Sequence, residues 1–481
     1  MVTNLASASN ESAALNNMHT IFSRQKDAFK NSPMATAKER IENLAKLHKA
    51  MVKHKDALTQ AMSDDFGNRP HDASTLNDIM ICLESIKYQS KRIKKWMKAS
   101  KPHVDIKLQP VSASVHYQPK GVIGIIAPWN FPVNLAISPL ITALSAGNRV
   151  MIKPSEFTPR TALAMQKMLA EIFPEDLVAV VPGEMEVAVG FTKLAFDHII
   201  FTGSTEVGKH VMRAAAENLT PVTLELGGKS PAIISKDVPM KDAVERLLYG
   251  KTTNAGQICC SPDYVLCPKD RIDELVANCK EVTAQFYPNI KDNNDYTTII
   301  NDRQYQRLQN HLSDAKQKGA MIVEINPSHE NLAPAQRKMP LYLVLNPSDD
   351  MVCMQEEIFG PILPIVAVDS VEDALDCVRE RPRPLALYYF GYNKKEQKLV
   401  VNNSISGGMC LNDTLNHIGI DDMPFGGIGP SGMGNYHGLE GFRELSHSKS
   451  ILSRPKYNGM KMLYPPYNRF FHKIINKFLV K

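Results

Sequence analysis

Gly121-Val122-Ile123-Gly124-Ile125-Ile126-Ala127-Pro128-Trp129-Asn130-Phe131-Pro132 is a short apolar run that stops at two prolines enclosing a tryptophan and an asparagine. So short a run, bounded by turn residues, predicts a buried strand rather than a helix. Downstream, the apolar runs 148–152, 177–181, 198–202 and 222–226 repeat the pattern, each separated from the next by a helix-like stretch. That alternation is the rhythm of βαβ units, so the fold class is α/β with a parallel sheet. The rhythm resumes in Ala232–Ile234, Tyr264–Cys267, Met321–Ile325, Leu341–Leu345 and Pro361–Val366, so two α/β domains joined near 224–230 are expected.

Upstream, Ile41, Leu44, Leu47 and Met51 recur every three to four residues within 35–63, an amphipathic helix that Gly67 and Pro70 should end. A second helical stretch runs to about Ser100. Val104, Ile106 and Leu108 then alternate with polar residues and Ser114–Gln118 is again extended, which predicts a hairpin able to pair with another subunit. Pro102 and Pro110 make its strands edge strands.

With 481 residues the chain is larger than a single core serves, and its 43% hydrophobic and 22% charged content is that of a globular protein. No apolar stretch reaches the roughly 20 residues of a spanning helix. Residues 1–30 lack the order of a secretory signal, so a cytoplasmic enzyme is the expectation. The net charge of +6 is local, because residues 454–481 hold seven Lys or Arg and no acid. No helix-turn-helix, zinc-finger or RNA-binding aromatic motif accompanies that tail, so no nucleic-acid partner is expected. In the tail, Phe470, Phe471, Ile474, Ile475, Phe478 and Leu479 recur at helical spacing with Lys473 and Lys477 between them. Packing on the protein is the favoured reading and contact with a membrane surface the alternative. Eight cysteines, at 82, 259, 260, 267, 279, 353, 377 and 410, form no Cys-x-x-Cys, so neither a metal site nor a disulfide framework is expected.

Chemistry concentrates in five places. Asn254-Ala255-Gly256-Gln257-Ile258-Cys259-Cys260-Ser261 sets a thiol after a flexible glycine and among small residues, the openness a nucleophilic Cys259 needs. Leu224-Glu225-Leu226-Gly227-Gly228-Lys229 ends an apolar strand on a carboxylate, and apolar surroundings raise a carboxylate's pKa into the range of a general base. Asn130 stands at the carboxyl end of a strand, where open α/β sheets bind ligands, and its amide can donate to an oxyanion. Lys153-Pro154-Ser155-Glu156 offers an ammonium and a carboxylate to the hydroxyls of a ribose. Phe201-Thr202-Gly203-Ser204-Thr205-Glu206-Val207-Gly208 passes from strand to helix, where backbone N–H groups can hold a pyrophosphate. Each has a bland alternative, such as a core cysteine, a strand-end cap or a solvated loop.

Taken in order, these stretches resemble the aldehyde dehydrogenase superfamily over roughly residues 30–455. Glu356-Glu357-Ile358-Phe359-Gly360-Pro361, Pro424-Phe425-Gly426-Gly427 and Ser431-Gly432-Met433-Gly434 extend the match. The segment Ser431–Ser450 with Tyr464-Pro465-Pro466-Tyr467 is similar to the class 3 branch. Asp65-Phe66-Gly67-Asn68-Arg69 and Met423-Pro424-Phe425-Gly426-Gly427 are similar to its bacterial coniferyl aldehyde dehydrogenases. The resemblance implies a Rossmann-like cofactor domain, an α/β catalytic domain and a small β oligomerisation element. Residues 1–103 would be the helical start of the cofactor domain, 104–118 the oligomerisation hairpin and 119–226 the Rossmann-like part. The catalytic domain would span 227–425, with 426–481 returning to the cofactor and oligomerisation region.

It implies further that Cys259 attacks an aldehyde, an aromatic one of the coniferyl kind, that Asn130 holds the oxyanion and that Glu225 activates the water that hydrolyses the thioester. Lys153 and Glu156 would hold the adenosine ribose, Gly203, Ser204 and Gly208 would shape the pyrophosphate site, and Glu357 and Phe359 would meet the nicotinamide side. A carboxylate at Glu156 repels a 2′-phosphate, so NAD is the expected cofactor, with NADP open because class 3 relatives often accept both. A homodimer is the expected assembly. Oxidation of medium- or long-chain aliphatic aldehydes and a CoA-acylating reaction stay as alternatives, and a chain that kept the fold without catalysis is a third. Cys260 and Ser261 depart from the small apolar pair common in relatives, and 468–481 matches no family pattern.

Overall fold

Thr36 and Glu39 satisfy each other's backbone N–H groups in a capping box at the start of the helix Ala37–Phe66, and Gly67 ends it at φ 84°, in the left-handed region. The helix therefore runs three residues beyond the predicted 35–63. The structure, a computed structural model, describes residues 2–478. Ahead of that helix lies Val2–Asn31, and behind it a helical stretch from His71 to Trp96.

The first α/β unit contains β1 (Ser112–Pro119), β2 (Val122–Ile126), β3 (Arg149–Lys153), β4 (Val178–Val180), β5 (His198–Gly203) and β6 (Val222–Leu226). The second contains β7 (Ser230–Ile234), β8 (Pro262–Pro268), β9 (Met321–Ile325), β10 (Leu341–Leu345), β11 (Ile362–Val368), β12 (Ala386–Phe390) and β13 (Gly408–Leu411). The chain then returns to the first unit with β14 (Gly432–Met433) and β15 (Ser446–Ser453).

One sheet has the order β14-β6-β5-β2-β3-β4, parallel except for β14, and the other the order β13-β12-β7-β8-β11-β10-β9, parallel except for β9. In the first sheet the chain runs outward from β2 through β3 to β4, then restarts on the other side of β2 with β5 and β6. Strand order thus reverses between β2 and β5, a switch point whose carboxyl-end crevice receives ligands in open α/β sheets. Ile123 and Ile125 pack on one face with helices 37–66 and 134–146, while Val122, Ile199 and Phe201 pack on the other. Both faces are covered, which is why these strands read as continuous apolar runs.

The expected hairpin over 104–118 does not form. Ile106–Leu108 is a turn of 3₁₀-helix, and β1 pairs antiparallel along its length with β15 instead. Residues 446–453 contain no proline and offer β1 a complete ladder. The tail also departs from expectation. Phe470–Phe478 is helical, as its spacing predicts, but none of its residues is buried on this chain, and Phe470 is 71% exposed. The faces of the first sheet are already covered by other helices. Leu479 lies outside the described residues.

Candidate active site

β2 delivers Asn130 and β5 delivers Gly203 and Ser204 to the two sides of the switch point, while Glu225 lies within neighbouring β6. A cavity of about 530 Å³ opens there, and Asn130, Gly203, Ser204, Glu225, Cys259, Glu357 and Phe359 all line it. Ser204 caps the helix Thr205–Ala216 by accepting the Val207 N–H, so the positive end of that helix faces the cavity. Lys153, Glu156 and Gly208 do not line it. Lys153 is buried, donates to the Pro154 carbonyl at 2.6 Å and lies 4.0 Å from the Glu156 carboxylate. Burial pulls its ammonium pKa down, and Glu156 partly offsets that. Gly208 allows the helix to sit on β6, because a Cβ there would meet the Leu226 side chain at 2.7 Å.

Cys259 comes to the cavity on a strained turn. Asn254, Ala255 and Gly256 have φ of 51°, 52° and 74° in succession, and a Cβ on Gly256 would meet the Gly360 carbonyl oxygen at 2.5 Å. Asn130 Nδ2 and Asn254 Nδ2 both donate to the Gln257 carbonyl at 3.2 Å, tying that turn to the end of β2. Cys259 is half-buried and Cys260 fully buried, with the Tyr388 hydroxyl donating to the Cys260 carbonyl at 2.6 Å. The Cys260 thiol against Cys259 pulls the Cys259 pKa down and burial opposes it, while the Cys260 thiol is pushed well up by the same contact and by burial.

Glu225 is buried and neither carboxylate oxygen has a hydrogen-bond partner among the described residues. Burial pushes its pKa well above the usual carboxylate range, and the neighbouring Cys259 thiolate adds to the effect. Glu357 is raised by burial first, then by Asp263 and Cys259. Its Oε1 also has no partner among the described residues, and its carboxylate fills the space beside Gly227 where a Cβ would stand.

The residues that fix Glu357 act on the backbone around it. Buried Lys229 pairs with Asp263 and donates to the carbonyls of Cys353 at 2.6 Å and Glu356 at 3.1 Å, and Asp263 accepts the Ile358 N–H at 3.0 Å. Arg307 lines the cavity and donates to the carbonyls of Glu357 at 3.2 Å and Ile358 at 2.5 Å. Lys229 stands in Glu225-Leu226-Gly227-Gly228-Lys229, so its stretch is visible in the sequence, whereas Arg307 stands in no distinctive stretch. Trp129 meets Phe359 edge to face at 5.2 Å across the cavity.

A half-buried thiol, a buried carboxyl with vacant acceptor oxygens, an amide donor and a helix start around one cavity define a nucleophilic-cysteine site beside a nucleotide crevice. The aldehyde dehydrogenase family model matches residues 2–451, and the chain belongs to that family. It is an oxidoreductase that acts on aldehydes. It is 53% identical over 481 residues, all of this chain and all of the relative, to the probable coniferyl aldehyde dehydrogenase of Pseudomonas aeruginosa. The solved substrate-bound state of Staphylococcus aureus AldH superposes with a TM-score of 0.90 at 36% identity, covering 96% of this chain and 99% of that one. The Mycobacterium tuberculosis aldehyde dehydrogenase complexed with NAD+ superposes with a TM-score of 0.81 at 28% identity, covering 91% and 90%.

Proposed function

We propose that the enzyme oxidises an aromatic aldehyde of the coniferyl kind to its acid, with NAD as cofactor. The convergence of Cys259, Glu225, Asn130 and Glu357 on one cavity carries this reading. The Cys259 thiolate adds to the aldehyde carbon, and the resulting oxyanion accepts hydrogen bonds from the Asn130 amide and the Cys259 backbone N–H. A bound nicotinamide dinucleotide supplies the acceptor for the hydride that leaves that carbon. Glu225 then takes a proton from water attacking the thioester, and Cys259 departs as thiolate. The vacant acceptor oxygens of Glu225 suit a base for water and speak against the CoA-acylating alternative.

The residues present fit the dinucleotide. The unpaired Glu357 Oε1 would accept from a ribose hydroxyl, the helix start at Ser204 would offer N–H groups to the pyrophosphate, and Lys153 with Glu156, outside the cavity lining, would meet the adenosine ribose. Eight free cysteines suit the reducing cytoplasm, and the two-stranded β1–β15 ribbon offers open edges for a homodimer. Among the described residues no helix is long and apolar enough to cross a membrane. The aromatic preference is supported by the Pseudomonas aeruginosa relative and tested with a panel of aromatic, short and medium-chain aldehydes, following absorbance of the reduced cofactor. Specificity constants for coniferyl- and benzaldehyde-type substrates should lead the panel. Values about a hundredfold below those of medium-chain aldehydes, roughly 2.7 kcal/mol at the transition state, would remove the aromatic assignment and leave the reaction class intact.

A further inference from the structure

The segment Asp65-Phe66-Gly67-Asn68-Arg69 takes part in none of the steps above, yet it ties the Asn130 turn to both α/β units. Asp65 accepts the N–H groups of Arg160 at 3.1 Å and Thr161 at 2.8 Å. Phe66 packs against Trp129 at 6.3 Å. Asn68 donates to the Tyr296 carbonyl at 2.8 Å and accepts the Thr298 N–H at 2.9 Å, reaching the second α/β unit.

Arg69 ends the segment in full burial, with its guanidinium over the rings of Phe66 at 5.1 Å and Phe131 at 4.9 Å. Its Nη1 donates to the Asn130 carbonyl at 2.8 Å and its Nη2 to Asp78 Oδ2 at 2.6 Å. The other oxygen of buried Asp78 accepts the N–H groups of Val133 at 3.2 Å and Asn134 at 3.0 Å. The turn that presents the Asn130 amide is therefore gripped at both ends by one ion pair. The same Asn130 carbonyl also accepts Asn254 Nδ2 at 3.2 Å, so the grip extends to the turn that presents Cys259.

We infer that Arg69 and Asp78 are positioning residues that fix the Asn130 turn so that its side-chain amide meets the oxyanion formed on Cys259; this rests on the role proposed above for Asn130. A buried ion pair is weak evidence for stability alone, since apolar replacements of similar volume often do as well, whereas misplacing a reacting group by about 1 Å slows a reaction on the order of a hundredfold. Both members spend their bonds on the backbone of one functional turn, which is where geometry rather than stability is determined.

The test uses the whole enzyme with Arg69→Met/Asp78→Asn, in which the amide oxygen at 78 still accepts the Val133 and Asn134 N–H groups and no unpaired charge stays buried. The variant should lower kcat by about 10- to 100-fold with KM for NAD within about twofold. Added to Asn130→Ala, it should slow that variant no further, because two changes to one interaction do not add. Arg69→Lys, which keeps a cation beside Asp78, should recover part of kcat, and it is read the same way if the paired variant does not fold. A kcat within about twofold of wild type, or losses that multiply with those of Asn130→Ala, would overturn the inference and leave the Asn130 role standing. If Asn130→Ala itself keeps the wild-type kcat, the oxyanion role fails and the positioning role with it.

Discussion

The Cys259 and Cys260 sulfurs lie 3.8 Å apart, with Cys259 half-buried at the cavity wall and Cys260 buried behind it. The inner thiol is thus placed to donate to the outer thiolate, and the outer one alone has access to substrate.

Cys259→Ala should therefore abolish turnover and Cys260→Ala should keep most of it at alkaline pH. Loss of the Cys260 thiol removes the contact that lowers the Cys259 pKa, so the pH dependence of alkylation of Cys259 by iodoacetamide should move to higher pH. Retention of activity in Cys259→Ala would reverse the assignment.

Glu225→Gln keeps the shape of the pocket and removes the base. Rapid mixing should give a burst of reduced cofactor near one per site, then a steady state slower by roughly 10²–10⁴-fold. Because Glu225 works as the carboxylate and its pKa is raised, wild-type deacylation should fall as pH drops through that raised value, and the variant should lose this limb. A missing burst would assign Glu225 to a step before hydride departure.

At Gly227 a methyl group would occupy the space of the Glu357 carboxylate. Gly227→Ala should weaken binding of the dinucleotide by about 1–3 kcal/mol, roughly 5- to 150-fold in the Kd of NADH, read from the fluorescence of that reduced form. An unchanged Kd would show that Glu357 has no part in holding the dinucleotide.

Gly256→Ala combines a left-handed φ with a close carbonyl and should destabilise by about 1–3 kcal/mol while misplacing Cys259. Calorimetry and turnover should fall together; an unaltered melting temperature would contradict the strain described at this turn.

The helix Phe470–Phe478 buries no residue on this chain. A chain ending at residue 465 should keep its turnover per site, and a loss beyond about tenfold would give the tail a role in the active site.

Strands buried on both faces are legible because their central residues are apolar, as throughout β2 and at Ile199–Phe201 of β5. β12 is as apolar and as buried, and it went unread because Arg381-Pro382-Arg383-Pro384 before it suggests no strand start. β15 was illegible for another reason. Ser446–Ser453 is largely exposed and polar, so only its distant partner β1 makes it a strand. In the site, Cys259, Glu225 and Asn130 could be singled out because each stands in a short, unusual stretch. Asp78 and Arg307 act through backbone amides and carbonyls far away in sequence, and such partners leave no local pattern to read.

β6, which bears Glu225, receives its outer neighbour from residues 432–433, and β1 waits for 446–453. A ribosome that has made β2 to β6 has thus made a sheet with a raw edge beside its future base. That edge stays open while residues 227–431 are threaded out and folded. Translation itself therefore delays the finishing of this active site, and an abortive product that stops short of residue 432 exposes a sticky strand rather than a half-active enzyme.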